Sequence, residues 1–164
     1  MKRILIVFSA VLMLLCSCAK EQEKRLYIWV DAMANFPDFA NSKENIERDL
    51  TLAREAGFTD VVVDIRPTCG DVLYRSETGH PVEWLGAMMN GKWSRCYRTA
   101  EWDYLGAFIE IGHKLGLRVH AGFNTFMAGD EDSLGIHGLL FRDEDKKDWA
   151  TSYSLKDGIH NALD

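Results

Sequence analysis

Three short runs rich in β-branched and aromatic residues, 25–31 (RLYIWVD), 60–66 (DVVVDIR) and 117–124 (LRVHAGFN), alternate with two helix-like segments. This alternation constrains the fold more than any other feature, because strand, helix, strand, helix, strand with short turns after the helices builds parallel strands joined by crossovers. The first helix is predicted over 41–56. Asn41 with Glu44 three residues on is a capping-box-like start, Ile46, Leu50 and Ala53 share one face, and Gly57 stops it. The second is predicted over 100–115, with Thr99 as its cap and Gly116 after it. The intervening stretch 67–100 shows no strong period; a loop of that length is usually functional or carries small elements of its own.

Strand parity adds a functional hint. Counted by twos, Trp29 with Asp31, Asp64 with Arg66, and His120 with Gly122 and Asn124 fall on one face. The other face carries Ile28, Val30, Val61, Val63, Ile65, Val119 and Phe123. An open doubly wound sheet is covered by helices on both faces, whereas a closed barrel points one face inward and gathers polar groups at the carboxyl ends of its strands. The pattern therefore favours the barrel. About three strands are read, however, and a (β/α)8 barrel typically takes about 250 residues. The expected fold class is thus α/β, the amino-terminal part of a (β/α)8 TIM barrel, and a segment with so few strands is expected to fold poorly and to be inactive by itself.

The chain begins with an address. Lys2 and Arg3 precede an apolar run, 4–15, that is too short to cross about 30 Å of hydrocarbon as a helix and reads as a signal peptide. Leu15-Cys16-Ser17-Cys18 then puts a small residue directly before a cysteine, which resembles the lipobox of bacterial lipoproteins, with Cys18 as the lipidated residue. The expected division is 1–17 signal peptide, 18–24 tether and 25–164 partial barrel domain, lipid-anchored in the bacterial cell envelope on the outer-membrane or periplasmic side. Cys69 and Cys96 belong to the folded part, where an oxidising compartment would allow them to pair. Their separation is not readable from sequence.

Charge and composition then remove whole classes. A net charge of −6 without a basic stripe argues against nucleic acid as a partner. Eight Phe, five Tyr and five Trp give far more buriable surface than a disordered chain has.

Two ordered blocks carry a family resemblance. Asp64-Ile-Arg66-Pro67-Thr-Cys-Gly70-Asp71-Val-Leu73-Tyr74-Arg-Ser76 resembles the VRP-x-GDALYxS block of the glycosyl hydrolase-like 10 domain, found in family 10 glycosylhydrolase-like bacterial lipoproteins. Glu101-Trp102-Asp103-Tyr104-Leu105 and Gly112-His113 through Asn124 resemble its WDPL…AHxxGLxVHAWFN block. Tyr104 stands where proline is usual and Gly122 where tryptophan is usual, which removes a large aromatic from the barrel mouth. The resemblance, over 25–124, implies a TIM-barrel carbohydrate-active lipoprotein with its site at the carboxyl ends of the strands. The segment 156–164 has only a superficial likeness to the family's DGIHFDD block and reads as loop.

Glycoside hydrolysis commonly needs two carboxylates. Asp31 and Asp71 are the candidate catalytic groups; Asp64 is expected to hold Arg66 in an ion pair. Arg66, Tyr74, His120 and Asn124 are the candidate substrate-binding residues, since their side chains can hydrogen-bond sugar hydroxyls near the strand ends. His113 reads as a helix-terminal cation, and Trp84, Trp93 and Trp102 as stacking or packing aromatics. No metal-ligand spacing is present, which weakens a metal-dependent polysaccharide deacetylase, and no cofactor fingerprint is found. The functional expectation is a glycosidase, hydrolysing O-glycosyl bonds of a polysaccharide in a longer form of the chain. The alternatives are the deacetylase and a non-catalytic glycan-binding surface lipoprotein.

Overall fold

The computed structural model describes residues 24–142, 152–155 and 158–161. Cys18 and the expected signal peptide, 1–17, lie outside them.

Strand β1 (Tyr27–Val30) is followed by a single helical turn, α1 (Phe36–Phe39), that buries Phe36 and Phe39. Helix α2 (Lys43–Glu55) comes next and buries the expected Ile46, Leu50 and Ala53. Its cap is Ser42 rather than Asn41: the Ser42 hydroxyl oxygen accepts the Asn45 N–H at 3.1 Å, while Asn41 is drawn away to accept from the backbone N–H groups of Thr99 and Ala100. Gly57, at φ 92°, ends the helix in the left-handed region that glycine enters without a Cβ penalty.

Strand β2 (Asp60–Asp64) lies between β1 and β5 (Arg118–Gly122) in a three-stranded parallel sheet. Tyr27 stands opposite Asp60 and Asp60 opposite Arg118, so the strands start level and their carboxyl ends finish together. Helix α3 (Tyr104–Lys114) returns the chain to β5. It starts later than the sequence implies, with Asp103 at the N-cap and not Thr99. Gly112 sets its distance from the sheet: a Cβ there would stand 2.6 Å from a Val119 methyl. The sheet face bearing Val30, Val61, Val63 and Ile65 packs with α1, α2 and α3 into one core, where Phe39 meets Phe108 edge-on.

The aperiodic segment contains a β-hairpin, β3 (Trp84–Met89) and β4 (Lys92–Tyr97). Its turn is Asn90-Gly91 with φ 51° and 74°, the two positive values of a type I′ turn. Leu85, Ala87 and Cys96 join the main core, and Cys69 and Cys96 are both buried free thiols. Downstream, β6 (Asp130–Asp132) pairs with β7 (Gly135–His137), helix α4 (Leu139–Arg142) follows, and β8 (Ser152–Leu155) pairs antiparallel with β9 (Gly158–Asn161). The 156–164 stretch, expected as loop, therefore contains strand β9 over Gly158–Asn161; backbone pairing within a local hairpin supplies order that side-chain periodicity does not announce.

The opposite face of the sheet is open among the described residues. Tyr27 is 50% and Trp29 61% exposed there.

Candidate functional site

The carboxyl ends of β1, β2 and β5 bring together Asp31, Asp64, Arg66 and Asn124. Asp31 follows β1 directly, and its exposed carboxylate accepts the backbone N–H groups of Met33 and Ala34 at 2.8 and 2.7 Å, an Asx turn that fixes the exit of the strand. Extending the β1–β2 register by one residue puts Asp31 beside Asp64, on the same face, on strands about 4.8 Å apart.

Asp64 is buried, and its two carboxylate oxygens are both used. One accepts the Arg66 backbone N–H at 3.2 Å and the other the Asn124 side-chain amide at 3.0 Å. Burial raises the Asp64 pKa above the ordinary aspartate value, and the negative charge of Asp31 raises it further, against hydrogen bonds from the Arg66 backbone, the Asn124 amide and the Ala32 backbone. The expected Asp64–Arg66 ion pair is not what forms. The Arg66 guanidinium turns to the carbonyl oxygens of Asn124 and Thr125, and so ties the exit of β5 to that of β2. Both bonds leave the one nitrogen Nη1, and the Asp64 carboxylate is already occupied by the Asn124 amide and the Arg66 backbone N–H.

Aromatic groups lie near the same strands. Tyr74 meets Phe123 edge-on at 6.2 Å. Trp29 reaches across the open face to within 3.4 Å of where a Cβ on Gly122 would stand. Beside Asp31, a cavity of about 520 Å³ is lined by Met33, Pro37, Met88 and Trp93.

Two predicted residues lie elsewhere. Asp71 is buried in a separate cavity of about 250 Å³, paired with Arg142 and 3.9 Å from the His80 imidazole. His120 points to the amino end of the sheet, where its Nε2 lies 2.7 Å from the Asp60 carboxylate. That carboxylate, fully buried, also receives Arg25, Arg118 and Thr59, and these partners hold its pKa far below the usual range, Arg118 foremost. His120 stands opposite Val62, two residues from Asp60 on one side and from Asp64 on the other, and the Asp64 carboxylate is already taken by the Asn124 amide and the Arg66 backbone N–H, so the imidazole meets Asp60.

Sequence reasoning places Asp64 near the strand ends but gives it to Arg66, whereas the structure sets it beside Asp31. The signal was present, since Asp31 and Asp64 share a parity and each ends a strand. Among the described residues no group of three His, Cys, Asp or Glu side chains is arranged to hold a metal ion, and no helix is long and apolar enough to cross a membrane.

No family model matches the chain, and no solved structure matches it. It is similar to an S-layer-related protein of Niallia circulans, 31% identical over 106 residues. That stretch is 65% of this chain, and the chain spans about 6% of the relative's length.

Proposed function

We propose that this chain is a glycoside hydrolase-like lipoprotein of the bacterial cell envelope, lipidated at Cys18, whose barrel-type sheet handles a polysaccharide at the carboxyl ends of its strands. The observation that carries the reading is the Asp31–Asp64 pair. Two carboxylates level with one another sit in different environments: Asp64 is buried with a raised pKa, and Asp31 is exposed within an Asx turn. Carboxylates whose surroundings separate their proton affinities are the working parts of acid–base glycoside cleavage, and a spacing near that of adjacent strands suits the retaining mode. In this reading Asp64 gives its proton to the leaving glycosidic oxygen and Asp31 supplies the opposing charge or nucleophile. Asn124 orients Asp64, and Arg66 braces the loop that carries Asn124. The S-layer-related relative supports a place at the cell surface.

The test is release of reducing ends from a panel of envelope and plant polysaccharides by the longest reading frame containing this chain. Asp64→Asn should lower turnover by roughly 10²- to 10⁴-fold. Asp31→Asn should in addition move the basic limb of the residual activity to lower pH, because it removes the negative charge that raises Asp64. Equal activity in wild type and Asp64→Asn overturns the assignment.

A non-catalytic glycan binder is the second reading, favoured by the exposure of Trp29 and Tyr27 on the open face. Glycan retention without hydrolysis, lost in Trp29→Ala, would establish it.

A further inference from the structure

Around the start of α3, three residues each bury a polar atom that nothing among the described residues satisfies: Arg98 at Nε, Asp103 at Oδ1 and Tyr104 at its hydroxyl. All three residues line one cavity of about 430 Å³. Buried polar atoms are nearly always paired, so three exceptions around one cavity call for an explanation. Tyr104 is the clearest case. It is the first residue of α3 and only 1% exposed; its ring packs on Phe108 at 5.0 Å and lies parallel to Trp102. Phenylalanine would fill that place without stranding a hydroxyl. Burial raises the phenol pKa above its ordinary value, so the hydroxyl keeps its proton and can donate. Asp103 holds the N-cap position of α3, yet its carboxylate makes no capping hydrogen bond. The Arg98 guanidinium donates to the carbonyl oxygens of Ala100 and Trp102, which fixes the group and leaves Nε over.

We propose that this cavity is a subsite for a neutral, hydroxyl-rich sugar unit, with Arg98, Asp103 and Tyr104 as its polar contacts. The three atoms differ in kind: Nε only donates, the carboxylate oxygen only accepts, and the phenol does either. A ligand of donors alone or acceptors alone leaves part of the set unpaired, whereas each sugar hydroxyl donates and accepts. Arg98 and Asp103, both half-buried, turn to uncover these atoms as the unit enters. Arg75 and Arg98 against Glu101 and Asp103 leave the lining formally balanced, which favours a neutral sugar over a uronate or a phosphate. Val72, Leu73 and Val82 add apolar surface for ring C–H groups, and the volume falls in the range of small-molecule sites, about 300 to 1,000 Å³. The proposal rests on the polysaccharide reading, and the fold gives it the right place. The Leu73 N–H donates to the Ile65 carbonyl at the exit of β2 at 2.9 Å, and the Leu105 N–H of α3 donates to the Leu73 carbonyl at 3.2 Å. The cavity is thereby tied to the strand end that carries Asp64, and Tyr74, which meets Phe123 after β5, also lines it. It takes a unit of the glycan other than the one at the carboxylate pair.

The test is titration calorimetry on the longest reading frame containing this chain, carrying Asp64→Asn as the parent so that no oligosaccharide is consumed. The probes are neutral hexasaccharides of glucose, xylose, mannose and N-acetylglucosamine, and a hexagalacturonate. Adding Tyr104→Phe or Asp103→Asn should each weaken the best neutral ligand at least fivefold. Tyr104→Phe should do so with a melting temperature equal to or above the parent's, because the hydroxyl it removes has no partner to lose. Affinity should change less than twofold between low and high salt. Unchanged affinity in both variants while the parent binds overturns the subsite and leaves the polysaccharide reading standing. A preference for the galacturonate that collapses at high salt overturns the neutral sugar, and a Tyr104→Phe melting temperature several degrees lower overturns the free hydroxyl and the proposal with it. No binding by the parent also overturns the proposal, and takes the polysaccharide reading with it only if the wild type releases no reducing ends. Fivefold losses in a chain that never hydrolyses support the subsite and remove only the cleavage.

Discussion

Single residues divide sharply between those that hold the sheet and those left for chemistry. Asp60 belongs to the first group: a carboxylate with no exposed surface is stable only while Arg25, Arg118, His120 and Thr59 satisfy it. Its folded-state pKa is depressed, so its contribution is fully present above the unfolded value of about 4 and is lost as pH falls through the lower folded value. Asp60→Asn should therefore flatten the acid limb of the stability curve below about pH 4. Asp60→Ala, which leaves the arginines without their acceptor, should lower the melting temperature by roughly 10 °C or more. Arg66 behaves differently from the contact residue that strand parity suggests. Arg66→Ala removes the Nη1 donor from both carbonyl oxygens, so it should speed proteolysis in 124–128 before it changes the melting of the sheet. Loss of glycan affinity with no change in cleavage at those bonds would return Arg66 to substrate contact.

Among the elements, the β3–β4 hairpin shows how local chemistry can specify a structure that a period search passes over. Asn90-Gly91 between MM and KW is the two-residue signal for a tight turn, and both residues have positive φ. Gly91→Ala should cost about 1 kcal/mol, read as a lower denaturation midpoint. Gly86 is a packing glycine of another kind: a Cβ there would stand 2.4 Å from the Trp93 ring, so Gly86→Ala should push the indole away from the hairpin face, read as a red shift of tryptophan emission. The caps Ser42 and Asp103 lie one and four residues from the sequence-based choices Asn41 and Thr99. Asn41 is taken by Thr99, Ala100 and Tyr97 across the fold, a competition no local rule contains.

At the scale of the whole molecule, among the described residues, one face of the parallel sheet is closed by helices and the other is open, with β1 and β5 at the edges. Exposed Trp29 and Tyr27, beside the edge strands β1 and β5 of the described sheet, favour association through that face. Residues 25–164 alone should show a broad melt and concentration-dependent sedimentation; a sharp, concentration-independent transition would mark a self-sufficient domain. In cells, Cys18→Ser should abolish detergent-phase partitioning and globomycin-sensitive processing. Membrane partitioning that survives the substitution would remove the anchor.

The alternation of β-branched runs with amphipathic segments was sufficient to determine three parallel strands and two helices, because burial periodicity is a property of local sequence. Parity likewise placed Asp31, Arg66 and Asn124 at one set of strand ends. Which charge each polar group meets was decided only by the assembled sheet. His120 and Asn124 share a parity, yet one completes the Asp60 cluster and the other holds Asp64, and Asp71 retires to Arg142, contributed from α4. These partners stand 60, 60 and 71 positions apart along the chain, and a buried carboxylate takes the donors that register and packing bring to it.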